Sequence, residues 1–394
     1  MIRLALTVLL GFGLVAAVSA DAEWEPVVRM DGHLFPSYVI ATATIDQANF
    51  GERPEALIGE LNGQLGVRVT APADGTPFVL EVMECGLFAT SKLKGTLATA
   101  GTTYTLYPSI AYDYDALRDV HQTVPLSLKF QLRLGDAAEG DEKVKTCTVR
   151  SINDCPYLFM EPNGDTVLRR NLFWMFAAYV NESHPQIDAC LKRALESKVV
   201  NAFTGYQGAD DDAIKDAVLQ QVFSIWFVLQ AEGIKYSSIT KTSSSSQHVF
   251  SQHVRFIDES LENTQANCVD GTALFASILR KVCIEPRLVL VPGHMYLAFY
   301  VDKDHTKLAF LETTMIGNTD LSQFDADDPE AYKAMVEASG KSFLAALEQG
   351  QKAFEEHEAE FKAEDEAGDQ TYHLISIDGA RSIGIRAIAY KAKD

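Results

Sequence analysis

Positive charge is scarce in this chain. Its 394 residues carry 34 lysines and arginines against 54 aspartates and glutamates, a formal net charge of −20. No Lys/Arg cluster supplies the basic face that nucleic-acid binding needs, so no nucleic-acid partner is expected. The same deficit disfavours anionic membrane surfaces. Long apolar runs are missing after the first twenty residues; nothing later approaches the ~18 consecutive apolar residues that suggest a membrane-spanning helix. The chain lacks a G-x-x-x-x-G-K-[ST] phosphate loop, a G-x-G-x-x-G fingerprint and a G-x-S-x-G elbow, so nucleotide-binding and serine-hydrolase readings have no foothold. No repeat of fixed period appears. Metal-ligand patterns are absent too. His248 and His253 stand five apart with no Cys or acid to complete a set, and His357 sits in a run of acids that reads as a solvated face. No cofactor and no metal are expected. The oligomeric state is not readable.

What is present begins with a leader. Arg3 precedes the apolar run Leu4–Val18, and "VSA" at 18–20 has the small residues a signal peptidase reads. The expectation is a signal peptide over 1–20, cleaved after Ala20, with Ala22 the second choice and an uncleaved anchor the alternative. Removing Arg3 gives a mature charge of 33 − 54 = −21. The expected location is secreted or periplasmic, with no membrane span after cleavage. Such a compartment permits disulfides. There are six cysteines, at 85, 147, 155, 190, 268 and 283. Cys85, Cys147 and Cys155 share the N-terminal region, where one bond is expected. Cys283, in an apolar stretch, reads as a buried thiol.

Residues 21–160 read as a β-sandwich-like domain. "GVRVTA", "FVLEVM", "TTYTLYP", "LSLKFQLRL" and "KVKTCTVRSI" alternate apolar and polar residues between Gly, Asp and Pro breaks. This domain holds no catalytic constellation; it either docks a substrate or partner or packs on its neighbour. "MEPNGD" at 160–165 is the expected boundary. Helical patterns run from about Thr166 to Gly233, where Ala217, Val218, Val222, Ile225, Val228 and Leu229 share one face and Gly233 is a C-terminal stop. A Ser-rich loop follows at 240–247. An acidic helix spans about Pro329–Glu366, and "TYHLISI" and "GIRAIAY" read as two closing strands. The fold class is therefore α+β.

The chemistry gathers between 265 and 314. Asn267 is a good helix N-cap and Asp270 its capping-box partner, so Cys268 opens a helix. Phe275, Leu279 and Val282 project the same way as Cys268, whereas Ser277, Arg280 and Lys281 lie on the other side. Free N–H groups and the positive dipole end favour an anion there, and thiolate is the nucleophilic form of cysteine. The same N–H groups are candidates to hold an oxyanion. Gly271 adds no bulk beside the thiol, which leaves room for a substrate backbone. "PRLVLVPG", "HMYLAFYVD" and "LAFLETT" then read as three strands. With turn residues near 303, His294 and Glu312 fall roughly opposite each other in an antiparallel hairpin. A slip of one residue would put them on opposite faces.

The order Cys268, His294, Glu312 on helix, strand and strand resembles the transglutaminase-like cysteine-protease superfamily. "ANCVDGTALFASILRK", "LVLVPGHMYLAFY" and "FLETT" are similar to segments of secreted bacterial transglutaminase-like proteins, over a motif region of about 235–320. The resemblance implies a papain-like core: a helix packed on an antiparallel sheet, within the unit 161–394. It makes Cys268 the nucleophile, His294 the base and Glu312 the residue that orients the histidine. Better-known transglutaminases carry Asp at the third position; Glu is one methylene longer. Val269 and Asn267 at the helix start, with Tyr236 or Gln252 upstream, are the candidates for oxyanion support, and Gln247 and Gln265 are further upstream candidates. The implied activity is a cysteine peptidase or amidase acting on a protein or peptide, cell-wall peptide included. The alternatives are a crosslinking transglutaminase and an inactive binding or assembly protein.

Overall fold

A computed structural model describes residues 23–163, 166–238, 246–367 and 371–389. The expected leader and most of the Ser-rich stretch lie outside these described residues. The chain is mixed α+β.

The alternating segments of the first third are strands. Leu65–Thr70 pairs antiparallel with Trp24–Val28 and Thr103–Tyr107, and Leu57–Gly59 joins Thr103–Tyr107 in parallel. A second sheet runs Ser91–Leu97, Thr76–Val82, Val124–Leu134, Asp141–Val149, with His33–Leu34 added in parallel at its edge. Period-two patterning buries Leu65, Val67 and Val69 in the first sheet, and Phe78, Leu80, Val82, Leu128, Phe130 and Leu132 in the second. Each such side chain contributes ~1.5–3 kcal/mol through its burial. One continuous apolar core runs from these sheets into the helices of the second half.

Three expectations fail around this junction and at the C-terminus. The stretch from Thr166, expected helical, opens as the strand Thr166–Asn171, paired with Leu158–Asn163. The strand Asp154–Asn163, which reaches the expected boundary at 160–165, also pairs with Val249–His253 from the second half. That sheet therefore holds strands from both halves. "GIRAIAY" is not a strand over its described residues. Arg386 N–H bonds Ala41 O and Ile388 N–H bonds Ala178 O, carbonyls that belong to helical segments and offer no ladder. The expected acidic helix is broken at His357 into Pro329–Glu356 and Glu358–Ala367. Across the break Phe354 stacks on Phe310 and on Phe361.

The second half supplies the long helix Asp211–Ala231, which ends before Gly233 at φ +80°, and a four-stranded antiparallel sheet. Its order is Leu308–Leu311, His294–Tyr300, Pro286–Val291, His373–Ser376. One face places Leu288, Met295, Leu297, Phe299 and Leu311 in the main core, where the helix Cys268–Lys281 packs on the two middle strands. The other face, with Val289, Tyr296, Ala298 and Phe310, is closed by Phe361 and Phe354. The helix is therefore enclosed: every residue from Val269 to Leu279 is buried. Ser277, expected on an outer side, is fully buried; its hydroxyl donates to Ala273 O and accepts from Asn181 N.

Candidate active site

The cysteine helix starts as its sequence dictates. Asn267 Oδ1 accepts from the N–H groups of Val269 at 2.8 Å and Asp270 at 2.9 Å, and Asp270 Oδ2 accepts from Asn267 N at 2.9 Å. Asp270 is buried and also binds Arg255, through its backbone N–H at 2.8 Å and its guanidinium at 2.7 Å. Burial holds the Asp270 carboxyl above its ordinary pKa, and the cap bonds and Arg255 offset only part of that. The cap engages two of the residues named for oxyanion support. The Val269 N–H and the Asn267 side chain are consumed by the cap, because the same amide oxygen serves two donors. Among the described residues the Cys268 N–H has no such acceptor, and it is the donor left at this helix start. Thr272 Oγ1 donates to the Cys268 carbonyl at 2.7 Å, fixing the first turn.

His294 opens its strand and turns Nε2 to Glu312 Oε2 at 2.7 Å. This leaves Nδ1 as the ring nitrogen available to Cys268. The Cys268 side chain bonds to the imidazole and is the largest influence on the ring. It pushes the His294 pKa up, Glu312 adds to this, and burial opposes both; the result is about 10. Glu312 is held by both oxygens, since Oε1 accepts from Thr314 N at 3.0 Å and from Thr314 Oγ1 at 2.6 Å. Burial would raise its pKa, but His294 and these bonds outweigh burial and keep it below the ordinary 4.5. The hairpin register differs from the expected one. Continuing the ladder past Leu297–Leu311 puts Glu312 across from Tyr296, not His294. The offset is two residues, so His294 and Glu312 still share a face, and the longer glutamate side chain spans the diagonal. The displacement comes from the loop after Tyr300, where the Asp302 carboxylate gathers the N–H groups of Thr306 and Lys307.

The other named residues separate from the triad to different degrees. Tyr236 sits beside Ala266 in a short parallel pairing just before the cysteine, half exposed. Gln252 lies on the sheet that joins the two halves, across from Cys155, and its amide donates to His253 O; none of its bonds reaches the cysteine helix. Gln247 and Gln265 are exposed. Gly271 serves packing and not substrate access: a Cβ there would meet Thr313 Oγ1 at 3.2 Å. Three supports escaped the sequence reading. Arg255 has no local signal. Thr314 is the last residue of "FLETT". Tyr296 stacks on the His294 ring at 6.0 Å, and its hydroxyl is buried without a partner.

All six cysteines are free thiols, so the bond expected among Cys85, Cys147 and Cys155 is not formed. Cys147 and Cys155 stand on strands of different sheets, and Cys85 lies in a turn bridged to Phe88. Burial raises the pKa of Cys147 to about 11 and of Cys190 to about 12, and drives Cys155 well above its ordinary value. Such thiols are poor nucleophiles. Cys283 is exposed, contrary to expectation. It takes φ +61° to close the cysteine helix, while the next residue, Ile284, is the one buried. Among the described residues no group of three or more His, Cys, Asp or Glu could hold a metal ion. Nor is any described helix long and apolar enough to cross a membrane. Scanned against protein-family models the chain matches none, and no curated protein is detectably similar to it.

Proposed function

We propose that this protein is a secreted thiol acyl-transfer enzyme, most simply a cysteine peptidase or amidase. In this reading a transglutaminase-like core follows a β-sandwich-like domain. The observation that carries it is the unbroken contact series Cys268, His294, Glu312, Thr314 at the start of a capped helix. Cys268 Sγ, as thiolate, bonds to the carbonyl carbon of a peptide or side-chain amide. The Cys268 N–H donates to the oxyanion. The His294 imidazolium gives its proton to the departing nitrogen as the C–N bond breaks, leaving a thioester. Neutral His294 then takes a proton from water, whose oxygen attacks the thioester; the C–S bond breaks and the thiolate returns. Glu312 holds the ring orientation and offsets its positive charge. An amine in place of water would make the same site a crosslinking enzyme.

One observation favours a second reading, a binding or assembly protein that keeps this fold without turnover. The cap consumes two of the first three helix N–H groups, so the oxyanion site has one backbone donor where such sites commonly use two.

Turnover of casein and of small peptide amides by wild type and Cys268→Ala protein separates the readings. Loss of turnover in the variant supports the enzyme; equal turnover sinks it. Alkylation from pH 5 to 9 adds a control within the molecule. Cys268 should outpace the exposed Cys283 near pH 6, and His294→Ala should remove that advantage.

A further inference from the structure

Away from the triad, a cleft of about 720 Å³ lies between the first sheet and the hairpin Asp154–Asn171. Its volume falls in the range of ~300–1,000 Å³ typical of small-ligand sites. Its charge is the reverse of the chain's. Arg29, Arg68, Arg169 and Arg170 line it against only Glu52 and Glu161, in a protein where acids exceed bases by 20.

The arginines are positioned, not loose. Glu161 receives Arg29 Nε at 3.2 Å and Arg170 Nε at 2.9 Å, so two guanidinium groups converge on one carboxylate. Arg29 also donates to Leu61 O and lies over the Phe159 ring. Arg68 pairs with Glu25 at the surface. Arg170 is half exposed, so its remaining N–H groups can meet a ligand. Aromatic side chains line it too: Trp174 is half-buried against Tyr38, whose hydroxyl is bound to Asn62.

We propose that this cleft binds a short acidic peptide, with a ligand carboxylate on the remaining N–H groups of Arg170, which Glu161 holds beside Arg29, and its apolar atoms on Trp174. Planar guanidinium forks suit carboxylates bidentately. A compact phosphate brings more negative charge beside Glu161 than a carboxylate does, which disfavours it. A nucleic acid would extend past the cleft onto the acidic remainder of the surface, which repels it, whereas a short peptide stays within the cleft. The inference does not depend on Cys268 being a nucleophile, and Cys268→Ala protein is the background in which to test it.

The experiment titrates a short capped glutamate-rich peptide, its glutamine counterpart and inorganic phosphate into that protein, by calorimetry and by Trp fluorescence. The glutamate peptide should bind about tenfold or more tighter than the glutamine form, and Arg170→Glu should weaken it about tenfold or more. Trp174→Phe should abolish the fluorescence change while the calorimetric binding persists. Unaltered melting checks that each variant is folded. No binding, equal binding of the two peptides, or unchanged affinity in folded Arg170→Glu protein overturns the proposal. Phosphate binding as tight as the peptide overturns it in favour of a small-oxyanion site.

Discussion

The helix Cys268–Lys281 has a carboxylate beside each end, and the two behave oppositely. At the N-terminal end Glu312 is buried, yet its pKa lies below the ordinary value. At the C-terminal end Glu285 is about as enclosed, and its pKa is pushed up to about 7. Burial acts in the same direction on both. The difference is hydrogen bonding. Glu312 spends one oxygen on Thr314 and the other on His294. Glu285 gives Oε2 to Arg280 at 3.0 Å, while Oε1 is buried with no partner. It also shares Arg280 with Asp378 and Glu182, whose negative charges work against its ionisation. Of these two carboxylates, the one whose two oxygens are both bonded keeps its charge, and Arg280 alone does not offset the burial of Glu285.

The largest expected effect comes from breaking the well-bonded end. Glu312→Gln removes the charge facing His294 but retains an oxygen for Thr314. If the enzyme reading is right, turnover should fall by about a hundred- to ten-thousand-fold with little change in KM. The His294 pKa should drop from about 10, and Cys268 alkylation at pH 6 should fall toward the Cys283 rate. Unchanged alkylation would mean that Glu312 is a structural cap for the turn at Thr313 and nothing more.

Arg255→Ala makes a well-partnered carboxylate resemble the poorly partnered one. It leaves Asp270 buried with its cap bonds but no guanidinium, and should cost about 3–5 kcal/mol in denaturant unfolding. A loss under ~1 kcal/mol would show that the cap bonds satisfy Asp270 alone.

Glu285 tests the other end through pH. Its carboxyl titrates near 4.5 unfolded and about 7 folded. Between those values the folded state holds a proton that the unfolded chain has released. Stability must therefore decline as pH rises from 4.5 to 7, and stay lower above it. Glu285→Gln should remove this dependence and raise stability at pH 8 by about 1–3 kcal/mol. Melting temperatures of both proteins from pH 5 to 8 decide it; parallel curves would show that Glu285 is not the titrating group.

The same contrast explains what was legible beforehand. The Asn267–Asp270 cap, the helix it starts and the strands that carry His294 and Glu312 are local patterns, visible in about fifty consecutive residues. The alternating strands of the first third are local as well. Partnerships made at long range left no such mark. Arg255 reaches Asp270 from a separate segment, and Arg280 gathers Glu182 and Asp378 from distant ones. The strand Thr166–Asn171 was misread because its identity comes from Leu158–Asn163, against which it pairs. Gly271 was misread for a related reason: a glycine in a sequence says that something comes close, and only packing shows that it is Thr313.

The smallest expected effect lies where the helix ends. Cys283 adopts φ +61°, a conformation that costs a residue with a Cβ about 1 kcal/mol. The geometry is otherwise that of a good stop: Cys283 N–H bonds Arg280 O, and Ile284 N–H reaches back to Leu279 O. Cys283→Gly removes the strain, while glycine's extra freedom in the unfolded chain takes back part of the gain. The net should be a stabilisation of about 0.5 kcal/mol, with the pH dependence set by Glu285 unchanged. The substitution also removes the exposed thiol, so rapid alkylation remaining in that variant must come from another cysteine. If it is lost with Cys283, the N-terminal end of the helix does not activate its sulfur, and the contrast between the two ends is one of structure alone.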